Sequence, residues 1–183
     1  MTHRSTFDPA LAARRLSAPL PAAGFAVEVG LRGFRTCDKF RSYPGAVNFL
    51  DATTLAELTA TPTTRMIVRA DRHPPADVLA AAEDALIGTG TSWYSQRPSW
   101  LDVWPGGVSK ATGVARVAAE LGIPGRDVLC VGDDLNDLEL IRWSGRSVAM
   151  GQAPDHVKRA ATHTTGTVDD DGLATALRFW FDR

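Results

Sequence analysis

The spacing of apolar positions changes character near residue 106. Before it, short alternating runs dominate: FAVEV at 25–29, RMIVRA at 65–70, SWYSQ at 92–96 and WLDVW at 100–104 each read as a strand, the last two as a pair. A short amphipathic helix is expected from Pro9 to Leu20, stopped by Pro19 and Pro21. A second is expected from about Ala76 to Leu86, opened by Pro74 and Pro75 and ended by the GTG at 88–90. Residues 30–64 are expected to be loop-rich, so the first hundred residues read as an α+β unit.

After Gly106 and Gly107, helical and strand periods alternate. Ser109 is placed to cap a helix running to about Leu121, with Val114, Val117, Ala118 and Leu121 on one face. GIPGRD ends that helix, and DVLCVGDD is a buried parallel-type strand finishing in acidic residues. LNDLELIRW begins the next helix, and SVAM at 147–150 is a second short strand. A helix near Pro154, a threonine-rich strand at 162–167 and a last helix from Gly172 to Phe181 complete the βα series. The fold class is therefore α/β, with residues 1–105 as an α+β domain and 106–183 as a βα domain, and Gly106-Gly107 as the boundary.

Charge narrows the partners. Twenty Lys and Arg against 21 Asp and Glu argue against nucleic acid or an anionic membrane attracted by bulk charge. The two cysteines, Cys37 and Cys130, make no disulfide framework, which suggests a reducing cytoplasm. No segment approaches the roughly 20 apolar residues that span a bilayer, so a cytoplasmic protein without membrane partners is expected.

The chemistry gathers around VGDDLND at 131–137. Ligands of open α/β sheets bind at the carboxyl ends of strands, where Gly132, Asp133 and Asp134 follow the apolar run. Asp133 at the strand end and Asp137 in the first helical turn can point into one crevice, a set of hard oxygen ligands suited to Mg2+, and Asn136 is placed to orient a ligand. The alternative is that Asp133 caps the helix while the other acids complement its dipole. Lys110 bears on this choice. At a helix start it works against the dipole, a position that makes sense if it neutralises a phosphate or carboxylate.

The stretch from WLDVWPGGVSKATGVARVAAEL through VLCVGDDLNDLELIRWSGRSVAMGQAPDHVKRAATHTTGTVDDDG resembles the C-terminal part of haloacid dehalogenase (HAD) superfamily phosphatases of the large-capped, Cof-like subgroup. The resemblance covers about Trp100 to Trp180, and Phe25 to Gln96 resembles, more weakly, the later portion of the subgroup's cap. It implies a partial HAD-like, Rossmann-type parallel core preceded by the remainder of an α+β cap. It also implies hydrolysis of small phosphorylated metabolites of the sugar-phosphate type, with Lys110 holding phosphate and nucleophile, Asp133 and Asp137 as magnesium ligands and Asn136 between them. Asp134 stands where the family often has glycine.

Such enzymes attack phosphorus with the first Asp of a D-x-D-G-T strand end, and no such stretch precedes the cap-like region here. The chain is thus expected to begin inside the cap and to be incomplete or inactive alone. Two decoys are set aside. Asp51 in AVNFLDATTL lacks the second acid and the glycine. Asp169, Asp171 and Gly172 have D-x-D-G spacing but follow a polar run, and read as the acidic start of the last helix.

Weaker candidates are Arg32, Arg35, Lys39 and Arg41, a charge run able to receive an anion and more often solvated. His73, His156 and His163 show no metal-ligand spacing and are read as surface residues; Trp93, Trp100 and Trp104 are read as packing. A non-catalytic module is the competing function. It would bind magnesium or a phosphorylated ligand, or form a homodimer or pair with another chain through an open sheet edge.

Overall fold

A computed structural model describes residues 4–40 and 49–181. The chain divides into two compact units, Met1–Val108 and Ser109–Arg183.

In the first unit, helix α1 (Pro9–Ser17) starts at Asp8, whose carboxylate accepts from the Ala10 N–H, with Pro9 at a position where a missing N–H costs nothing. Strands β1 (Gly24–Glu28), β2 (Phe34–Cys37) and β3 (Phe49–Thr53) follow, then the short helix α2 (Leu55–Leu58) and β4 (Met66–Arg69). Helix α3 (Pro75–Leu86) leads to β5 (Thr91–Arg97) and β6 (Trp100–Pro105). The six strands form one sheet in the order β3-β2-β1-β4-β6-β5, antiparallel except for β2 with β3.

The alternation read from sequence sets the two faces. Phe25, Val27, Met66, Val68, Leu101 and Val103 point to the face covered by α1 and α3, meeting Ala12, Leu16, Val78 and Ala82. Each fully buried large side chain there contributes about 1.5–3 kcal/mol. The opposite face carries Ala26, Phe34 and Ile67 beneath Phe40 and Trp100. Arg65 donates twice to Asp102 Oδ1, at 2.8 and 2.6 Å.

The described residues of the stretch 30–64 hold more regular structure than expected, namely β2, β3 and α2. FRTC is too short to show two full alternations, and its ladder with β1, Ala26 opposite Thr36, is what makes it a strand. Helix α2 is set by a capping box in which Thr54 accepts from the Glu57 N–H and the Glu57 carboxylate accepts from the Thr54 N–H. Helix α1 ends at Ser17 rather than Leu20, before Pro19 and Pro21.

In the second unit, α4 (Lys110–Glu120) begins at Ser109, which exchanges hydrogen bonds with Thr112. Strand β7 (Leu129–Gly132), a 3-10 turn (Leu135–Asp137), α5 (Leu138–Trp143), β8 (Arg146–Ala149), α6 (Asp155–Ala160), β9 (His163–Thr164) and α7 (Gly172–Phe181) complete it. The strands are parallel in the order β7-β8-β9, with Gly132 opposite Ala149. Cys130, Ile141, Ala149, Ala153 and Val157 form the core.

Two expectations change here. Strand β9 is two residues long, not six: its pairing with β8 covers His163 and Thr164, and past the Thr165 N–H bond to Ala149 O the chain turns towards Gly172, whose O accepts from the Thr165 hydroxyl. The buried side of α4 is Ala111 and Ala118 with Val114 half-buried, whereas Val117 is 56% and Leu121 67% exposed. The helix packs on α5, and its buried residues are both alanines, a choice that apolar spacing cannot make.

Candidate active site

Gly132 ends β7, and the chain turns through Asp133, Asp134, Leu135 and Asn136 to Asp137. The Asp137 carboxylate folds back under this turn: Oδ2 accepts from the N–H groups of Asp133 and Asp134 at 3.0 and 3.3 Å. Only glycine allows that return, since a Cβ on residue 132 would lie 2.6 Å from the Asp137 Cβ. Asp137 is 6% exposed, so its charge requires these donors.

The other oxygen, Oδ1, accepts from Lys110 Nζ at 2.5 Å, and the same ammonium donates to Asn136 Oδ1 at 3.2 Å. Lys110 is the first residue of α4, where its charge opposes the helix dipole. The carboxylate beside it offsets that cost. The Lys110 side chain is 50% exposed, so the ammonium faces solvent as well as Asp137.

The capping role weighed for Asp133 falls to Asp134, whose Oδ1 accepts from the Leu135 N–H at 2.7 Å. Asp133 is exposed, and its Oδ2 accepts from Gln152 Nε2 at 3.1 Å. Its Oδ1 has no hydrogen-bond partner among the described residues. The structure thus gathers Lys110, Asn136 and Asp137 by direct bonds, and ties Asp133 to them through its own N–H.

The donor set fits magnesium in kind: hard oxygens from two carboxylates at the end of β7, the exposed Asp133 and the buried Asp137. The described residues hold no group of three or more His, Cys, Asp or Glu that could bind a metal. Of the two carboxylates, Asp133 keeps an uncommitted oxygen while both oxygens of Asp137 are engaged. Cys130 lies two residues before the end of β7. Burial pushes its thiol above the usual range, and the charge on Asp137 adds to that against the opposing bond with Ser144.

The remaining candidates are elsewhere. Asp51 is within edge strand β3 of the six-stranded sheet. Asp169, Asp170 and Asp171 form the turn before α7, with Asp170 accepting from the Thr167 hydroxyl. Lys39 donates to Pro21 O, Arg35 is exposed on β2, Arg32 ends a 3-10 turn, and Arg41 lies outside the described residues. His156 and His163 are exposed, but His73 is half-buried, its Nε2 enclosed without a partner among the described residues. Trp93 and Trp100 pack as expected, and Trp104 also donates to Val108 O. Gln152 is the site residue not singled out from sequence. Its signal is its place three residues beyond β8, the neighbouring strand end.

A parallel βα unit with acids, an amide and a lysine gathered at the carboxyl end of one strand defines an α/β protein of the kind that binds ligands at strand ends. The chain belongs to the haloacid dehalogenase-like hydrolase family, which matches residues 47–177. It is 41% identical over 83 residues to the 5-amino-6-(5-phospho-D-ribitylamino)uracil phosphatase YcsE of Bacillus subtilis, a match covering 45% of this chain and 33% of that protein. The chain thus spans about a third of the length of that curated relative. In fold it resembles a haloacid dehalogenase-like hydrolase from Bacteroides thetaiotaomicron, with a TM-score of 0.80 at 21% identity over 99% of this chain and 70% of that one. A sugar phosphatase of HAD subclass IIB gives a TM-score of 0.79 at 19% identity, over 97% of this chain and 68% of that one. Among the described residues no helix is long and apolar enough to cross a membrane.

Proposed function

We propose that the second unit is the phosphate- and magnesium-handling part of a phosphatase acting on small phosphorylated metabolites of the sugar-phosphate type. The observation that carries this is the Lys110 ammonium, held at 2.5 Å by a buried carboxylate yet half exposed at the end of β7. A fixed cation there stabilises negative charge on a bound phosphoryl group without reorganising. Asn136 sets the ammonium's direction. Asp133 offers its free oxygen to magnesium, and Asp137 holds Lys110 and the turn that carries Asp133. When bound, magnesium would neutralise charge on the transferring phosphoryl group. The likeness to a named phosphatase and to a sugar phosphatase supports the reading.

Phosphoryl transfer by a covalent route also needs an attacking carboxylate and a general acid, and no such pair is bonded to this cluster among the described residues. Residues 1–183 on their own are therefore expected to hydrolyse no phosphate ester at an enzymatic rate, in a panel of sugar phosphates with magnesium. Turnover that vanishes in Asp51→Asn would instead make Asp51 the nucleophile. The metal part is tested separately by calorimetric titration with magnesium, for which weak binding is expected. Equal affinity in the chain and in an Asp133→Asn, Asp137→Asn variant would remove magnesium from this site.

A second reading, a non-catalytic binding module that pairs with another chain or a second copy, is favoured by one feature. Among the described residues, strand β7, which carries the site, is the edge of the three-stranded sheet. Unpaired edges of this kind invite strand addition. A sedimentation mass that stays monomeric at high concentration would count against self-pairing.

A further inference from the structure

We infer that Gln152 is a positioning residue that presents the free oxygen of Asp133 to its ligand, an inference that rests on the magnesium reading above. The side-chain amide bridges two elements: Nε2 donates to Asp133 Oδ2 at 3.1 Å, and Oε1 accepts from the Val168 N–H at 3.1 Å. Its orientation is unambiguous. A backbone N–H only donates and an ionised carboxylate only accepts, so a flipped amide would lose both bonds.

The support beneath Gln152 is rigid. Gly151 donates to Gly166 O at 2.9 Å, and a Cβ on residue 151 would meet Thr167 N at 2.7 Å and Gly166 C at 2.8 Å. The loop after β8 and the loop after β9 therefore touch backbone to backbone, and Gln152 leaves that junction towards β7. Asp133 is held twice as a result, by its N–H on Asp137 Oδ2 and by its Oδ2 on Gln152. Without the amide, an exposed aspartate samples several rotamers. With it, one oxygen is committed and Oδ1 has a single direction. Outer partners of this type typically change metal affinity or activity by 10–100-fold when removed.

The test is a magnesium titration of the whole chain followed by the backbone amide signals of residues 132–134. It compares the chain with Gln152→Met, Asp133→Ala and the double variant, each first shown to keep its fold by its amide spectrum. Gln152→Met keeps the length and loses both hydrogen bonds. It is expected to weaken magnesium roughly tenfold, and to add nothing in the Asp133→Ala background. The Gln152 side-chain NH2 signals give a readout without metal, expected to shift in Asp133→Ala. Unchanged affinity in Gln152→Met with affinity lost in Asp133→Ala would overturn the role of Gln152 and leave the magnesium reading intact. An equal further loss in both backgrounds would show that Gln152 acts other than through Asp133. Affinity unaffected by Asp133→Ala would sink the magnesium reading and this inference with it.

Discussion

Lys110 Nζ and Asp137 Oδ1 lie 2.5 Å apart across 27 residues of sequence, joining the first turn of α4 to the turn that follows β7. The pair binds a buried acid to a half-exposed base, so its two halves are unequal. Removing the lysine leaves Asp137 with two backbone donors but without its counter-charge. Lys110→Met is expected to lower stability by about 1 kcal/mol, discounted because the ammonium is half exposed and screened. Denaturant unfolding with unchanged slope is the measurement, and a midpoint equal to that of the parent would reduce the pair to a surface contact.

Gly132→Ala is expected to cost roughly 1–3 kcal/mol, the range for overpacking a filled site. The added methyl would press on the Asp137 Cβ at 2.6 Å and displace the carboxylate from the N–H groups of Asp133 and Asp134. Urea unfolding gives the energy, and loss of protection from hydrogen exchange at those two amides gives the cause.

Asp133 and Asp134 are neighbours with separable roles. Asp134→Ala removes the cap of the 3-10 turn and is expected to cost about 1 kcal/mol with little change in magnesium affinity. Asp133→Ala is expected to do the reverse. Thermal unfolding and magnesium titration of both variants decide the matter, and the same profile for the two would contradict the division.

The raised Cys130 thiol makes a prediction about alkaline pH. In the unfolded chain the thiol ionises near its ordinary value of 9.0, while in the folded chain burial keeps it protonated to higher pH. The folded state then binds more protons, so stability falls as pH rises above the unfolded value. Cys130→Ala is expected to flatten that decline above pH 9. Unfolding midpoints across the range would show it, and parallel curves for variant and parent would exclude Cys130 as the source.

Leu121, 67% exposed, is expected to accept lysine within about 0.5 kcal/mol, whereas Ala118→Lys, at a buried position of α4, is expected to cost clearly more. Comparable losses for both in thermal unfolding would restore Leu121 to a core-facing position.

The strongly periodic segments and the strand-end acids were legible from the sequence because their signals are local. Alternation over FAVEV and WLDVW reports which side chains share a face, Ser109 reports a helix start, and an apolar strand ending in GDD reports where a ligand meets an open sheet. Lys110, Asp133 and Asp137 stand out for the same reason, each at or beside an element's end, with Asn136 in the turn between the two acids. Long-range contact decided the rest. FRTC became a strand because β1 offered it a ladder, and α4, packed on α5, buries Ala118 while Val117 and Leu121 stay exposed. Asp134 took the cap and released Asp133 because the return of Asp137 beneath Gly132 set the turn's geometry. Gln152 entered the site only when β8 lay parallel to β7, bringing its loop to the same end of the sheet. Periodicity records which face of an element is apolar; which neighbour covers that face, and which polar side chain reaches across to it, is settled by packing between residues far apart in the chain.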